Sequence, residues 1–262
     1  MIASALWIYP LKGARGVPVT SAEVTPRGFA GDRRWMVVGA NGRFLSARTH
    51  PGMLALHAAL RPNGLRIEAA GHDAIEVEAP ATDAPRRTCT VWSSTLDLPE
   101  AVDARRWIEA VMGPGTALVY QPDDAHRPTD AAYAPGHEVS LADGYPVLLA
   151  SETSRQALEK EAGMGLDMRR FRPSLVVDGA TEPWAEDDWQ DVRVGEARFR
   201  NVKPCGRCAV TTFDPDTLAR SDEPLRTLGR IRKVGSKVLF GANLVPLGPG
   251  TVRVGDAVVI ES

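Results

Sequence analysis

Short runs of apolar and β-branched residues, separated by turns, make up most of the chain. Residues 5–9 and 34–38 are strand-like, and the Asn41-Gly42 turn after the second run predicts a hairpin that returns through Phe44-Leu45. A second hairpin is predicted within residues 65–77, around a central glycine. Regularly spaced short strands of this kind indicate a barrel-like β element in the first hundred residues.

Two segments have the spacing and the end signals of helices. The first is residues 99–112, where a proline suits an early helical position and Gly113 ends the pattern. The second is residues 152–162, which we expect Ser151 to cap and Gly163 to stop. The sequence therefore predicts few helices.

A long connection and a return to strands follow the first helix. Residues 113–136 contain four prolines, which indicates a domain boundary or an active-site loop. Later strands are predicted at 174–177, 191–194, 197–202 and 251–260. The expected fold class is α+β and dominated by β, with a β-barrel-like N-terminal domain at residues 1–120 packed against a β-rich domain with few helices at 121–262.

Composition and charge exclude several classes of protein. The 262 residues include 31 Lys and Arg against 33 Asp and Glu, so the net charge of the chain does not favour the binding of nucleic acid. No apolar stretch is long enough to predict a membrane span, and the first residues do not resemble a signal peptide, so we expect a cytoplasmic protein. Three cysteines exclude a disulfide scaffold and a four-cysteine iron–sulfur cluster within the chain.

Cys205 and Cys208, three positions apart, are the most informative pair. A zinc site would need further spaced Cys or His ligands, and a thioredoxin-like pair would open a helix, whereas β-branched residues follow here. Two buried thiols near a turn are a third interpretation. The fourth is a thiolate bound to the metal of a cofactor, which the flanking Lys203 and Arg207 would favour. Cys89, without a nearby partner, is expected in a core strand.

Several short segments along the chain carry a family resemblance in their order and spacing. They are Tyr9-Pro10-Leu11-Lys12, Gly31-Asp32-Arg33-Arg34-Trp35, Phe44-Leu45-Ser46-Ala47-Arg48, Phe171-Arg172-Pro173-Ser174, Trp184-Ala185-Glu186-Asp187-Asp188-Trp189, the segment from Lys203 to Thr217, and Phe240-Gly241-Ala242-Asn243. With them the chain resembles the MOSC-domain molybdenum-cofactor enzymes that carry an N-terminal MOSC β-barrel domain. Relatives of this kind include the mitochondrial amidoxime-reducing component and the bacterial YcbX-like reductases.

The resemblance implies a molybdenum–molybdopterin cofactor with Cys208 as the protein ligand of the metal and as the catalytic residue. Cys205 is then a buried thiol near the site. The positions that correspond to the family's cofactor-binding residues are Lys12, Gly13, Arg33, Gly144, Tyr145, Arg172, Ser174, Gly206, Arg207 and Asn243. Relatives often carry small hydroxyl residues where this chain has Gly13, Gly144 and Gly206, so backbone contacts are expected there. Pyridoxal phosphate binding is a further property that the resemblance suggests.

The function that the resemblance implies is the reduction of N-hydroxylated small molecules by removal of oxygen. A non-catalytic cofactor carrier or sulfur-delivery module is the alternative, and a plain thiol redox protein with a Cys205–Cys208 disulfide is a third hypothesis. The three cysteines and the lack of a dinucleotide fingerprint predict a separate electron-donor protein, of ferredoxin or cytochrome type. A ferredoxin-like domain, which some relatives carry after the MOSC domain, is not expected after Ser262.

The remaining charged residues are assigned by their surroundings. Arg172 abuts an apolar run and is expected to bind the cofactor's phosphate, whereas Arg169 is expected to face solvent. Asp214 and Asp216 bracket a proline and predict an Asx-type turn, and the acidic run at 186–188 is expected to be a structural turn that pairs with basic neighbours.

Overall fold

The computed structural model describes residues 1–261 and is built mainly from strands. The strands of the first half are β1 (Ile2–Ile8), β2 (Val17–Val19), β3 (Ser21–Thr25), β4 (Gly28–Phe29), β5 (Trp35–Val38), β6 (His57–Arg61), β7 (Gly64–Ala69), β8 (His72–Glu78), β9 (Arg86–Val91), β10 (Ser94–Pro99) and β11 (Ala117–Tyr120). Those of the second half are β12 (Val147–Ser151), β13 (Leu175–Asp178), β14 (Asp191–Val194), β15 (Ala197–Gly206), β16 (Lys233–Val234), β17 (Lys237–Pro246), β18 (Gly250–Arg253) and β19 (Val258–Glu261).

Three α-helices lie among the described residues. They are α1 (Arg105–Met112), α2 (Glu152–Ala162) and α3 (Leu225–Ile231). Short 3-10 helices lie at Pro51–Ala55, Val102–Ala104, Met168–Phe171, Ala185–Asp187 and Ala209–Thr212. This content confirms the predicted β-dominated α+β class. Within residues 1–261, none of the helices combines the length and the apolar character that a membrane crossing requires.

A large mixed sheet joins the two halves of the chain. Its strands follow the order β19-β14-β15-β17-β12-β13-β1-β2, and β16 pairs with β17 beside this path. Strand β1 lies antiparallel to β13, with Leu6 opposite Leu175, while β12 and β13 run parallel. Strand β3 likewise pairs with β18 from the far end of the chain. The first and last parts of the sequence therefore share backbone hydrogen bonds.

The buried core also combines side chains from both halves of the chain. One cluster combines Leu6 and Phe29 of the first half with Leu149 and Phe199 of the second. A separate cluster fills the space between α1 and the small sheets of the first half. On the other face of the large sheet, α2 and α3 cover Phe240 of β17, whose ring stacks on that of Phe171 at 3.8 Å. This stack fixes the segment before Arg172 against the sheet.

The structure confirms the two predicted hairpins and the helix α2. Leu45 donates its N–H to the Val37 carbonyl at 2.9 Å, and β7 pairs antiparallel with β8. Helix α2 has the predicted bounds, and Gly163 follows it in the left-handed conformation, but the Ser151 hydroxyl at its start makes no capping hydrogen bond within residues 1–261. The predicted turn at 186–188 also pairs with a basic neighbour, since Asp187 accepts a hydrogen bond from Arg232.

The first helix is predicted to begin at residue 99, and this prediction is wrong. Residues 94–99 form β10, which pairs along its whole length with β9, and α1 begins only at Arg105. Leu98 is fully buried in this hairpin, so the pairing outweighs the local helix signals. The predicted end at Gly113 is right, because Gly113 is the residue that follows the last helical turn. Cys89 lies fully buried in β9, as expected.

Candidate functional site

A cleft lies where side chains from the two halves of the chain meet. It measures about 960 Å³ counted out to its open mouth. The first half contributes Lys12, Arg33 and the segment 44–48, and the second half contributes the segments 142–145 and 205–208 among others. Neither half alone forms the walls.

All of the predicted site residues except Ser174 line this cleft. Those that do are Lys12, Gly13, Arg33, Gly144, Tyr145, Arg172, Gly206, Arg207, Cys208 and Asn243. Ser174 is fully buried behind it, where its hydroxyl accepts a hydrogen bond from Arg33 Nη1 at 3.2 Å. The structure thus brings together residues that are far apart in sequence, while the role of each one stays a prediction.

The cysteine pair lies at the end of a strand and in the following loop, as its sequence predicts. Strand β15 ends at Gly206, and Cys208 immediately precedes the 3-10 helix Ala209–Thr212. The Cys208 carbonyl accepts hydrogen bonds from both the N–H and the hydroxyl of Thr211. All three cysteines have free thiols, and that of Cys208 is half-buried and has no hydrogen-bond partner within residues 1–261.

Cys205 is half-buried, not buried as expected, and it differs from Cys208 in its hydrogen bonds. Its sulfur accepts a hydrogen bond from Arg207 Nη1 at 3.0 Å, and the same guanidinium donates to the Phe171 carbonyl at 2.5 Å. The Nε atom of Arg207 is buried and lacks a partner among the described residues. Arg207 therefore holds the loop in place and keeps one donor unused.

Arg172 is a partly buried cation with no hydrogen-bond acceptor among residues 1–261. Burial and the nearby charge of Arg33 lower the pKa of Arg172 to about 10, so it stays protonated at neutral pH. Both residues have positive φ values, 47° for Arg33 and 54° for Arg172. Such backbone conformations are uncommon for residues other than glycine and cluster at functional sites.

Tyr9 forms the platform on which these two arginines lie. Their guanidinium carbons are 4.1 Å (Arg33) and 4.4 Å (Arg172) from the centre of its ring, which is favourable cation–π geometry. The Tyr9 hydroxyl donates to the Pro173 carbonyl at 3.0 Å, and burial raises the pKa of Tyr9 to about 12. Arg33 is neutralised by Asp32 at 2.5 Å. Arg172 is thus the unneutralised charge of the pair.

Asp143 organises the opposite wall, and the sequence analysis did not identify it. Its carboxylate accepts a hydrogen bond from Lys12 Nζ at 2.6 Å and also contacts Arg48 and the Trp92 indole N–H, each at 3.3 Å. The ion pair with Lys12 holds the pKa of Asp143 well below its usual range. The one available signal was its position beside Gly144, since its partners lie far away in sequence.

The unused donors of the cleft fit a polar, anionic group. Within residues 1–261, Arg172 has no acceptor, and Arg207 Nε and the Tyr145 hydroxyl are buried without partners. Asn243 makes only long contacts there, of 3.4 and 3.5 Å, to backbone carbonyls. Buried donors of this kind are normally satisfied, so a ligand with several acceptor oxygens would complete them. The unpartnered thiol of Cys208 adds a soft ligand for a metal.

The glycines of the cleft leave room for such a group. A Cβ atom at Gly13, where φ is +86°, would lie 2.9 Å from Met53 Cε, so this position favours glycine. Around Gly144, by contrast, no atom of the described residues other than Gly144 and its two chain neighbours lies within 4 Å of the place where a Cβ would be. A serine side chain would therefore fit at Gly144. Because glycine has no side chain, the backbone at this position is accessible to a ligand.

Two expectations about charged residues have different outcomes. Arg169 does not face solvent freely, because it pairs with Asp167 at 2.6 Å and with Asp216 at 2.7 Å. The Asx-type turn is confirmed, since the Asp214 carboxylate accepts the backbone N–H groups of Asp216 and Thr217. No group of three or more His, Cys, Asp or Glu side chains within residues 1–261 is arranged to hold a metal ion.

Comparison with known protein families finds two matches along the chain. Residues 2–114 match the MOSC N-terminal beta barrel domain, and residues 136–259 match the MOSC domain. The predicted division after residue 120 falls between the two matched regions and stays a prediction. The cleft is lined from both regions.

Curated relatives match over nearly the whole chain. The human mitochondrial amidoxime-reducing component 1 is 31% identical over 97% of this chain and 81% of its own length. A zebrafish (Danio rerio) molybdenum cofactor sulfurase is 29% identical over 91% of this chain but only 31% of its own length. Neither name refers to pyridoxal phosphate, so that expectation gains no support.

Among solved structures, the crystal structure of the YUAD protein from Bacillus subtilis is similar over 98% of this chain and 93% of that one. The TM-score is 0.46 and the sequence identity is 10%.

Proposed function

Because this chain belongs to the family of MOSC-domain proteins with an N-terminal MOSC β-barrel domain, we propose that its cleft holds a molybdenum–molybdopterin cofactor and that it reduces N-hydroxylated compounds. Amidoximes and hydroxylamines are the substrates we propose. The observation that carries the proposal is that an arginine without an acceptor, Arg172, lines the same cleft as the free thiol of Cys208.

Each group of cleft residues has a proposed task. Cys208 would bind the metal as a thiolate, since soft thiolates suit such centres. Arg172, Arg33 and Lys12 would hold the phosphate and pterin through charge-assisted hydrogen bonds, and the open backbone at Gly144 would contribute N–H and carbonyl contacts. When bound, the cofactor supplies the two-electron chemistry that removes oxygen from an N–OH group.

The remaining residues position these groups. Asp143 fixes Lys12, and Asp32 together with Ser174 fixes Arg33, so the donors are held before a ligand arrives. Arg207 ties the cysteine loop to the segment before Arg172 through the Phe171 carbonyl. We assign no general acid, because no unpaired carboxylic acid lines the cleft within residues 1–261.

We further propose that a separate ferredoxin- or cytochrome-type protein delivers the electrons. The 262 residues contain three cysteines, one of which the proposal assigns to molybdenum, so they cannot supply a four-cysteine cluster. The cleft opens to solvent, which would allow a donor to approach it.

A matched pair of cysteine variants tests the proposal. Cys208→Ser removes the soft ligand and is expected to lower two quantities by at least 100-fold. One is the molybdenum content of protein produced in a molybdenum-replete host, and the other is the rate of benzamidoxime reduction with a chemical electron donor. Cys205→Ser, at a thiol already engaged by Arg207, should retain both within a few-fold. Metal analysis and product chromatography measure the two effects. An inactive Cys205→Ser beside an active Cys208→Ser would show that the assignment of the ligand is wrong.

A non-catalytic carrier or sulfur-delivery role is the second candidate. The match to a molybdenum cofactor sulfurase favours it, because that protein carries a region similar to almost all of this chain. The same cleft residues would then hold the cofactor without turnover. Protein loaded with molybdenum that reduces none of a panel of amidoximes, hydroxylamines and N-oxides would support the carrier role over the reductase.

A further inference from the structure

A second cleft adjoins the first and shares Arg172 and Val210 with it. It measures about 830 Å³ counted out to its open mouth. Its lining combines aromatic rings with arginines, namely Trp7, Phe213, Arg15, Arg169, Arg170 and Arg172. Cys205, Cys208 and Lys12 line only the first cleft, so the two clefts have different chemistry.

Arg170 is the best-defined charged group of this second cleft. Its side chain is 9% exposed, and only Nη2 has a partner, the Asp214 carboxylate at 2.8 Å. The buried Nε and Nη1 atoms have no acceptor among the described residues. A guanidinium has five N–H donors, and leaving several of them buried and unused is unfavourable unless a ligand accepts them.

The other arginines of the cleft differ in how many of their N–H donors have an acceptor. Arg169 is saturated by Asp167 and Asp216. Arg15 reaches the same Asp216 only at 3.3 to 3.4 Å, and its buried Nε lacks a partner. Arg172 has no acceptor on either side within residues 1–261. Arg172 is therefore the cation of this cleft without a carboxylate partner among the described residues, and Arg15 and Arg170 keep unused N–H donors beside it.

We propose that the second cleft binds a small aromatic molecule that carries one oxyanion, either a phosphate monoester or a carboxylate. The oxyanion would accept hydrogen bonds from Arg170 and Arg172, whose planar donors suit both groups. The aromatic ring would pack against Trp7 and Phe213. This site adjoins the proposed cofactor site and shares Arg172 with it, but the binding of the aromatic molecule does not depend on molybdenum.

Calorimetric titration of the full chain tests the proposal with phenyl phosphate and benzoate as probes. Arg170→Gln is expected to weaken binding of the better probe at least tenfold, because it removes a charge that faces only the second cleft. Lys12→Gln, which alters only the first cleft, should change the affinity less than twofold. Comparison of the two probes identifies the oxyanion. If Arg170→Gln does not keep the native circular dichroism spectrum, Arg15→Gln takes its place.

A second variant tests the aromatic wall. Trp7→Leu should weaken the binding of phenyl phosphate several-fold and leave that of inorganic phosphate unchanged, because inorganic phosphate has no ring to pack. Binding lost in Lys12→Gln but kept in Arg170→Gln would place the anion in the first cleft and overturn the proposal. The absence of measurable binding of either probe to the wild-type chain at millimolar concentration would overturn it as well.

Discussion

At the scale of single residues, Arg172 shows how a binding site can hold an unfavourable charge. The guanidinium is partly buried, lies beside Arg33 and over the Tyr9 ring, and has no carboxylate partner among the described residues. Burying a cation without a counter-ion opposes folding. The chain therefore keeps a charge whose benefit appears only when an anion is present.

Arg172→Gln is thus expected to weaken cofactor binding without lowering the stability of the cofactor-free protein. Without cofactor, the stability of the variant should lie within about 0.5 kcal/mol of the wild type, because the lost cation–π contact with Tyr9 is offset by removal of a partly buried charge that has no counter-ion. Its retention of molybdenum should fall by roughly 10- to 100-fold, the effect of losing a charged hydrogen bond of about 1.5–3 kcal/mol. Urea denaturation and metal analysis measure the two quantities.

Arg27→Ala gives the opposite control. Arg27 is buried outside the cleft and bonds Glu138 and two backbone carbonyls, so its loss should lower stability and spare molybdenum content. Equal destabilisation by both variants, with unchanged metal content, would make Arg172 a structural residue.

The raised pKa of Tyr9 predicts that the protein loses stability at alkaline pH. Its folded pKa of about 12 lies above the value of about 10 for an unfolded chain, so its contribution to stability is complete below pH 10 and is lost as the pH rises towards 12. The lost contribution approaches about 2–3 kcal/mol. Tyr9→Phe should cost about 1 kcal/mol at pH 7, through the hydrogen bond to Pro173, yet lose less stability between pH 10 and 12.

Urea denaturation of the two proteins from pH 7 to 11.5 measures this difference. Tyr133→Phe, at an exposed ring, controls for the loss of a tyrosine hydroxyl. Parallel curves for the wild type and Tyr9→Phe across the alkaline range would contradict the prediction.

At the scale of elements, strand β17 depends on one glycine. Gly241 has a φ of +76°, and a Cβ there would lie 2.5 Å from the Leu149 carbonyl of β12. Gly241→Ala should therefore push β12 away and lower the free energy of unfolding by more than about 1 kcal/mol. Gly248→Ala, with no atom within 4 Å of the added Cβ, should change it by less than about 0.5 kcal/mol. Thermal denaturation compares them, and similar melting temperatures would refute the role of Gly241.

The elements that the sequence predicted correctly are those with local signals. Helix α2 is bounded by Ser151 and Gly163, and the hairpin at Asn41-Gly42 closes through neighbouring residues. The first helix is predicted to begin at residue 99, whereas Pro99 ends β10 and α1 begins at Arg105, because the pairing of β10 with β9 depends on packing that local propensity does not report. Helix α3 was missed because it has no comparable cap or stop signal.

The same distinction applies to the site. Most of the predicted cleft residues lie in or beside a short segment that carries the resemblance, whereas Gly144 and Tyr145 lie outside these segments. Asp143 could not, because its role comes from Lys12, which lies 131 residues away in sequence. The second cleft was also not predicted, since the sequence suggested that Arg169 faces solvent rather than Asp216. Contacts between distant residues are what a single sequence leaves open.

At the scale of the whole molecule, the cleft forms between the two matched regions and opens to solvent. The chain has no dinucleotide fingerprint, so we expect loaded protein mixed with NADH or NADPH and an amidoxime to show no sustained turnover. Activity should appear when a ferredoxin- or cytochrome-type donor and its reductase are added. Product chromatography over many turnovers is the measurement, and a chemical electron donor serves as the positive control. Sustained turnover with the nicotinamide alone would contradict the separate donor.

The pairing of β1 with β13 also sets the order in which the chain can assemble during synthesis. The partner of the first strand is made roughly 170 residues later. At about 5–20 residues per second, the ribosome needs roughly 10 to 30 s to reach it. During that time Leu6 and Ile8, which are buried in the finished protein, can pair with β2 but not with β13. The large sheet is therefore completed late, and until β13 is made one edge of β1 is an unpaired strand edge that another chain could pair with.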